Sequence, residues 1–190
     1  LWKMINNIMV RLRFLGLTVL LVLIGFITYA GAGDLPSKPN PPRLVNDFAH
    51  MLTAGEADQL ERKLLEYEQT SSTQITIVTI DELGDQDVSD YAIKLGKAWG
   101  VGKAGKNNGV VVLASLKDHK INISTGKGVE GALTDLMCGR IIRNEIVPAF
   151  KQKNFFEGFS KAADAIIKAT TGEYHADAKE KKGGGLPIKA

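Results

Sequence analysis

The sequence is short of the residues that staple small folds together. It has one cysteine and three histidines in 190 residues. A lone cysteine excludes an intramolecular disulfide framework, and so few scattered ligands exclude a zinc ribbon or finger. It also lacks an excess of one charge where a folded domain would need it. The net charge of +3 comes from Lys3, Arg11 and Arg13, since residues 1–32 hold no acid and the remainder is balanced. A balanced domain gives no electrostatic reason to expect a nucleic-acid partner. The familiar catalytic signatures are missing as well. There is no G-x-S-x-G elbow, no H-E-x-x-H and no Walker loop, and His50, His119 and His175 have no partner at ligand spacing.

One stretch lacks charge altogether. Phe14 to Ala32 is uncharged and strongly apolar, broken only by Gly and Thr, Arg11 and Arg13 precede it, and Ala30-Gly31-Ala32 has the small-x-small form of a signal-peptidase site. Residues 1–32 therefore read as a secretory signal or, if retained, an N-terminal membrane anchor. Either way the rest of the chain is expected outside the cytoplasm, in the periplasm, envelope or medium. No cysteine stands near residue 32, which excludes a lipoprotein anchor. Pro36, Pro39, Pro41 and Pro42 mark residues 33–43 as a stiff linker. Residues 173–190 are polar and rich in Lys and Gly, and read as a tail.

The residues between, 44–172, alternate helix and strand signals. Thr53 and Glu56 form a capping box ahead of Ala57, Leu60, Leu64 and Tyr67, which share a helical face. Gln74 to Ile80 alternates apolar residues with Thr and reads as a strand. Asp87 caps a helix whose Val88, Ala92, Leu95 and Trp99 align. Val110 to Ala114 is short and wholly apolar, as in a buried strand. Lys120 to Thr125 alternates again and is expected to pair antiparallel with it. Thr134 opens a third helix ending near Pro148, and Phe155 to Ile167 forms a fourth. This order predicts an α/β fold: a three-layer α/β/α sandwich with a small mixed β-sheet flanked by helices on both faces.

Several motifs tempt and fail. Gly100-Val101-Gly102-Lys103-Ala104-Gly105 spells a dinucleotide fingerprint, but between a helix and a strand, the reverse of what aims helix amides at a pyrophosphate. Gly126-Lys127-Gly128-Val129-Glu130-Gly131 spells it between a strand and a helix. The acidic residue expected further on then falls at Asn144-Glu145, inside a helix. Asp85 and Asp87 look like paired aspartates, yet Asp85 stands too far beyond Ile80 to be a strand-end nucleophile. Cys138 with Arg143 is one residue short of a cysteine-phosphatase loop, and Cys138 falls on a buried helical face.

One constellation survives. If strands 110–115 and 120–125 form a hairpin, the loop Lys106-Asn107-Asn108-Gly109 lies beside the loop from Gly126 to Asp135. Asn107, Asn108, Glu130 and Asp135 are oxygen donors, and the glycines let backbone carbonyls approach. Oxygen ligands from adjacent loops suit a hard cation, Ca²⁺ or Mg²⁺. The same loops, with Lys127 and glycine amides, suit an anion such as phosphate. With no ligand at all, they are a capped helix and two tight turns.

Leu44-Val45-Asn46-Asp47-Phe48-Ala49, Thr73-Gln74-Ile75, Trp99-Gly100-Val101-Gly102, Asn108-Gly109-Val110 and Gly126-x-Gly128-Val129-Glu130-Gly131-x-Leu133-x-Asp135, in that order, resemble the TPM domain family over about residues 40–170. Members of that family include thylakoid acid-phosphatase-like and photosystem-repair proteins and many secreted or membrane-anchored bacterial proteins. The resemblance implies the sandwich fold, an extracytoplasmic setting, a divalent-cation site and, for some members, weak phosphatase activity. It adds Asp47 of the Val-Asn-Asp motif to the candidate metal ligands, with a helix-entry role as the alternative. One departure stands out: the family usually carries Asp-Asn-Gly before the second strand, where this chain has Asn107-Asn108-Gly109. Losing that carboxylate weakens an electrostatically held cation. The expected function is thus an envelope domain that binds Ca²⁺ or Mg²⁺ and a protein partner in membrane-protein assembly or maintenance. The alternative is a metal-dependent acid phosphatase acting on phosphate monoesters, for which no activated nucleophile with an adjacent base is visible.

Overall fold

The computed structural model describes residues 34–172. The expected signal or anchor at 1–32 and the tail at 173–190 lie outside them. Among the described residues no helix is long and apolar enough to cross a membrane.

Four strands form one sheet in the order β1-β2-β3-β4. They are β1 (Val45–Asp47), β2 (Gln74–Ile80), β3 (Gly109–Ser115) and β4 (Lys120–Thr125). The first three are parallel, and β4 returns antiparallel to β3. The mixed sheet and its final hairpin match the expectation. β1 is an addition: Val45 and Asn46 are too few to show a period, and pairing with Ile77 and Val78 makes them a strand.

The helices are α1 (Ala54–Ser71), α2 (Val88–Trp99), α3 (Asp135–Ile141), α4 (Val147–Lys151) and α5 (Phe155–Thr170). The capping box at Thr53 and Glu56 is present in full. Asp87 caps α2 by accepting from the Ser89 and Asp90 amides. The third helix departs from its expected single span. Residues Ile142–Ile146 form a π turn between α3 and α4. Pro148 stands in the first turn of α4, directly after the π turn, so the residue that cannot donate an amide falls where the helical ladder is already widened.

Because a strand's side chains alternate, each strand of a doubly covered sheet feeds two cores. Ile75, Ile77, Val110 and Val112 pack with Leu60 and Leu64 of α1, Ile141 of α3 and Phe159 and Ile166 of α5. Val78, Ile80, Val111 and Leu113 pack on the other face with Tyr91, Ala92, Leu95 and Trp99 of α2. Helices on both faces make this the expected three-layer sandwich. Gly96 lets α2 sit close, since a Cβ there would lie 3.1 Å from Val111 Cγ2.

The proline-rich segment expected as a linker is not a free spacer from residue 35 on. Leu35 packs against the second core. The Trp99 indole N–H donates to the Pro36 carbonyl at 2.9 Å, and the Lys38 ammonium donates to the Trp99 carbonyl. Arg43 pairs with Asp58, and Glu61 accepts from the Leu44 and Val45 amides. The prolines make this segment stiff, and a stiff segment loses little entropy on lying down.

Candidate functional site

At the end of the sheet where β2 and β3 begin and β4 finishes, the two glycine-punctuated loops do meet. The Gly126 amide donates to the Gly109 carbonyl at 2.8 Å, and the Gly128 amide to the Asn107 carbonyl at 2.9 Å. The approach tolerates no side chain. A Cβ on Gly126 would stand 2.2 Å from the Asn107 carbonyl oxygen, and one on Gly128 would stand 2.1 Å from that of Lys106. Asn107 takes a left-handed φ of 50° at the turn, which asparagine accepts more readily than most residues.

The five candidate ligands part company here. Asn107 and Glu130 line one hollow of about 640 Å³, with Ile93 and Lys97 of α2, Ser124 of β4 and Lys127. Asn108 is buried and already engaged. Its Oδ1 accepts from the Lys103 amide at 2.9 Å and its Nδ2 donates to the Ser72 carbonyl at 2.7 Å. It therefore pins the 101–108 loop to the left-handed cap of α1. Asp135 is the exposed first residue of α3 beyond the Thr134 cap, and it does not line the hollow.

Asp47 lies at the opposite end of the sheet, beside Thr79 near the finish of β2. Its carboxylate accepts from the Met51 amide at 2.9 Å, the Leu52 amide at 2.8 Å and the Thr79 hydroxyl. That is the helix-entry role: it closes the turn from β1 into α1. A second carboxylate works alike at that end. Asp118 accepts from the Ser115 hydroxyl and from the Leu83 amide, and these two bonds, the hydroxyl first, hold its carboxyl below the usual aspartate value.

Sequence reasoning passed over three residues that organise the rim. Gln74 Oε1 accepts from the Gly102 amide at 2.8 Å while its Nε2 donates to Glu68 at 3.0 Å. Ser72 holds φ at 63° and receives both Asn108 and the Lys106 ammonium. Lys97 reaches the rim from the last turn of α2. The spacing of Lys97 along the α2 face was the one available signal. The others depend on contacts distant in sequence.

The donor set left at the rim is one carboxylate, one side-chain amide and loop carbonyls. Among the described residues, no group of three or more His, Cys, Asp or Glu could hold a metal ion. This set does not fit a tightly caged structural metal. It fits a hard cation that keeps most of its water. Cys138, the other reactive group nearby in sequence, is buried, and burial first, then the Asp135 charge, pushes its thiol up to about 11. A thiol so protonated is not a nucleophile at neutral pH.

The model of the TPM domain family matches residues 45–169, from the start of β1 to the last turn of α5. The chain belongs to the TPM domain family. Its fold is similar to the solution structure of the N-terminal domain of a P. gingivalis protein, with 30% identity and a TM-score of 0.64 over 70% of this chain and 87% of that one. Two further solution structures share the TPM fold at lower identity. The BA42 protein of the psychrophilic bacterium Bizionia argentinensis is 23% identical, with a TM-score of 0.56 over 67% of this chain and 86% of that one. The N-terminal domain of the cg2496 protein of Corynebacterium glutamicum is 12% identical, with a TM-score of 0.56 over 82% and 99%. No curated protein matches the chain.

Proposed function

We propose that this TPM domain is an exported envelope module that binds a divalent cation, Ca²⁺ or Mg²⁺, at the rim joining the 106–109 and 126–131 loops, and that docks a protein partner. The observation that carries this reading is the bonding of two glycine-rich loops into one rim that presents Asn107 and Glu130 to the same hollow. Glu130 supplies the charge, and Asn107 and loop carbonyls supply neutral oxygens. With a single carboxylate, the affinity belongs at the weak end, around 10⁻⁴–10⁻³ M, as for extracellular calcium modules. Export rests on the charge-free run from Phe14 to Ala32 behind two arginines.

Calorimetric titration of the full chain with Ca²⁺ and Mg²⁺ tests this. Glu130→Gln is expected to weaken binding about tenfold or more, and Asp47→Asn to leave it unchanged. Equal affinity of Glu130→Gln and the parent would remove the rim as the site.

The competing function, a metal-dependent phosphatase, draws support from Lys97 and Lys127 beside the hollow, since lysines hold phosphate oxygens. A cation at Glu130 would polarise a phosphoryl oxygen there. Turnover of a phosphate monoester that requires added cation and disappears in Glu130→Gln would favour the enzyme over the binding module.

A further inference from the structure

We propose that the outer edge of β4, with the hollow beside it, receives an extended segment of a partner protein as a fifth strand, and that this segment carries an apolar and an acidic residue two positions apart, on the one face it turns toward α2. The proposal deepens the partner-binding half of the function above and is independent of the cation.

The sheet order leaves β4 outermost on one side. The bond from the Gly126 amide to the Gly109 carbonyl sets the phase of the β3–β4 ladder. In an antiparallel pair the hydrogen-bonded positions alternate. Ser124 and Asn122 therefore pair inward with Val111 and Leu113, while Ile121, Ile123 and Thr125 turn their N–H and C=O groups outward. Among the described residues no backbone bond reaches those outward groups. β4 has no proline and no bulge, the usual devices that blunt an edge, and its one charge is Lys120 at its start. β1, at the other margin, has three residues and offers much less.

Side chains of an added strand stand beside those of its neighbour on the same face. A residue placed opposite Ser124 would point to the α2 side, into the hollow that Ser124 lines. That hollow has the chemistry of a side-chain pocket. Ile93 on its wall is 42% exposed, and its volume of about 640 Å³ lies within the range of ligand sites. Lys97 and Lys127 stand at it against the single carboxylate of Glu130. Backbone pairing supplies affinity without sequence preference, the pocket selects an apolar residue, and the two ammonium groups select acidic ones.

The test uses the full chain in detergent micelles with excess EDTA, so that loss of cation binding cannot mimic failure. The probes are a library of acetylated, amidated hexapeptides with aspartate two positions from valine, leucine or phenylalanine and threonine between them, so that both fall on one face of the added strand. Two control sets carry lysine in place of aspartate, or N-methyl groups on alternate amides. Hydrogen–deuterium exchange by mass spectrometry should show the 120–126 segment slowed about tenfold by the best acidic peptide, with 45–49 unchanged. Fluorescence anisotropy should show the lysine set and the methylated set binding at least about tenfold more weakly. The double change K97E and K127E should weaken the acidic peptide and strengthen the lysine one, a reversal that general unfolding does not produce. Equal binding of the methylated peptides would overturn strand addition. Equal binding of the lysine set would overturn the acidic preference. No slowing of 120–126 by any peptide at about 1 mM would overturn the proposal as a whole.

Discussion

Asn108 shows how a residue that looks like a ligand can be a strut. Both ends of its amide are committed, one to the Lys103 amide and one to the Ser72 carbonyl. Asn108→Ala strands a buried donor and acceptor and is expected to cost about 2–3 kcal/mol in a urea melt, with cation affinity unmoved. Asn108→Asp also loses the donor that faces Ser72, so a carboxylate at this position opposes a carbonyl instead of reaching a cation. Asp118 carries a pH dependence of definite sign. Its folded pKa is depressed, by the Ser115 hydroxyl and then the Leu83 amide. Its contribution to stability is complete above the unfolded value of about 3.9 and is lost as the pH falls through the lower folded value. Asp118→Asn should therefore flatten the acid limb of a stability profile below about pH 4, and leave its shape near neutrality alone. Cys138, with its thiol pushed up to about 11 by burial and then by Asp135, should resist thiol reagents at pH 7.5 until the protein unfolds. The oxygen-bearing character of Asn108 was legible in the sequence. Its commitment was not, because Ser72 lies 36 positions away and only the folded chain brings them together.

Among elements, those with local signals were legible and those made by their neighbours were not. The α1 capping box, the Asp87 cap and the β3–β4 hairpin follow from residues within a few positions of each other. β1 owes its existence to pairing with β2. The π turn at Ile142–Ile146 has no local signature either: the Val147 amide reaches back to the Ile142 carbonyl, one residue further than an α-helix would. Pro148 supplies no amide of its own, and the wide turn accommodates it. The hairpin-end loops are the most constrained element. A methyl at Gly128 would meet the Lys106 carbonyl oxygen at 2.1 Å, so the two loops must separate. Gly128→Ala is expected to destabilise the domain by about 1–3 kcal/mol and to weaken cation binding, whereas Gly131→Ala, whose Cβ meets nothing within 4 Å, should do neither. Paired urea melts and calorimetry separate the two variants.

At the scale of the molecule, the sandwich was legible because a strand, helix, strand, strand sequence with buried strands admits few arrangements. The site was half legible. The hairpin argument brought the two loops together correctly, and the Asp47 helix-entry alternative is the one its hydrogen bonds express. The docked leader was hidden by its own prolines, which signal extension but not what the extended chain lies against. Leu35 and Pro36 join the domain through the second core and Trp99. In a Trp2→Phe background, Leu35→Asp should loosen this strap, red-shift Trp99 emission and lower stability by about 1–2 kcal/mol.

The central claim is that one rim, at the start of β3 and the finish of β4, holds the cation. Hydrogen–deuterium exchange of the full chain with and without millimolar Ca²⁺ tests it most directly. The account predicts slowed exchange at residues 106–109 and 126–131, abolished by Glu130→Gln, with no change around Asp47 and Asp118. Protection centred on residues 47–52 or 81–87, or protection at the rim that persists in Glu130→Gln, would contradict it.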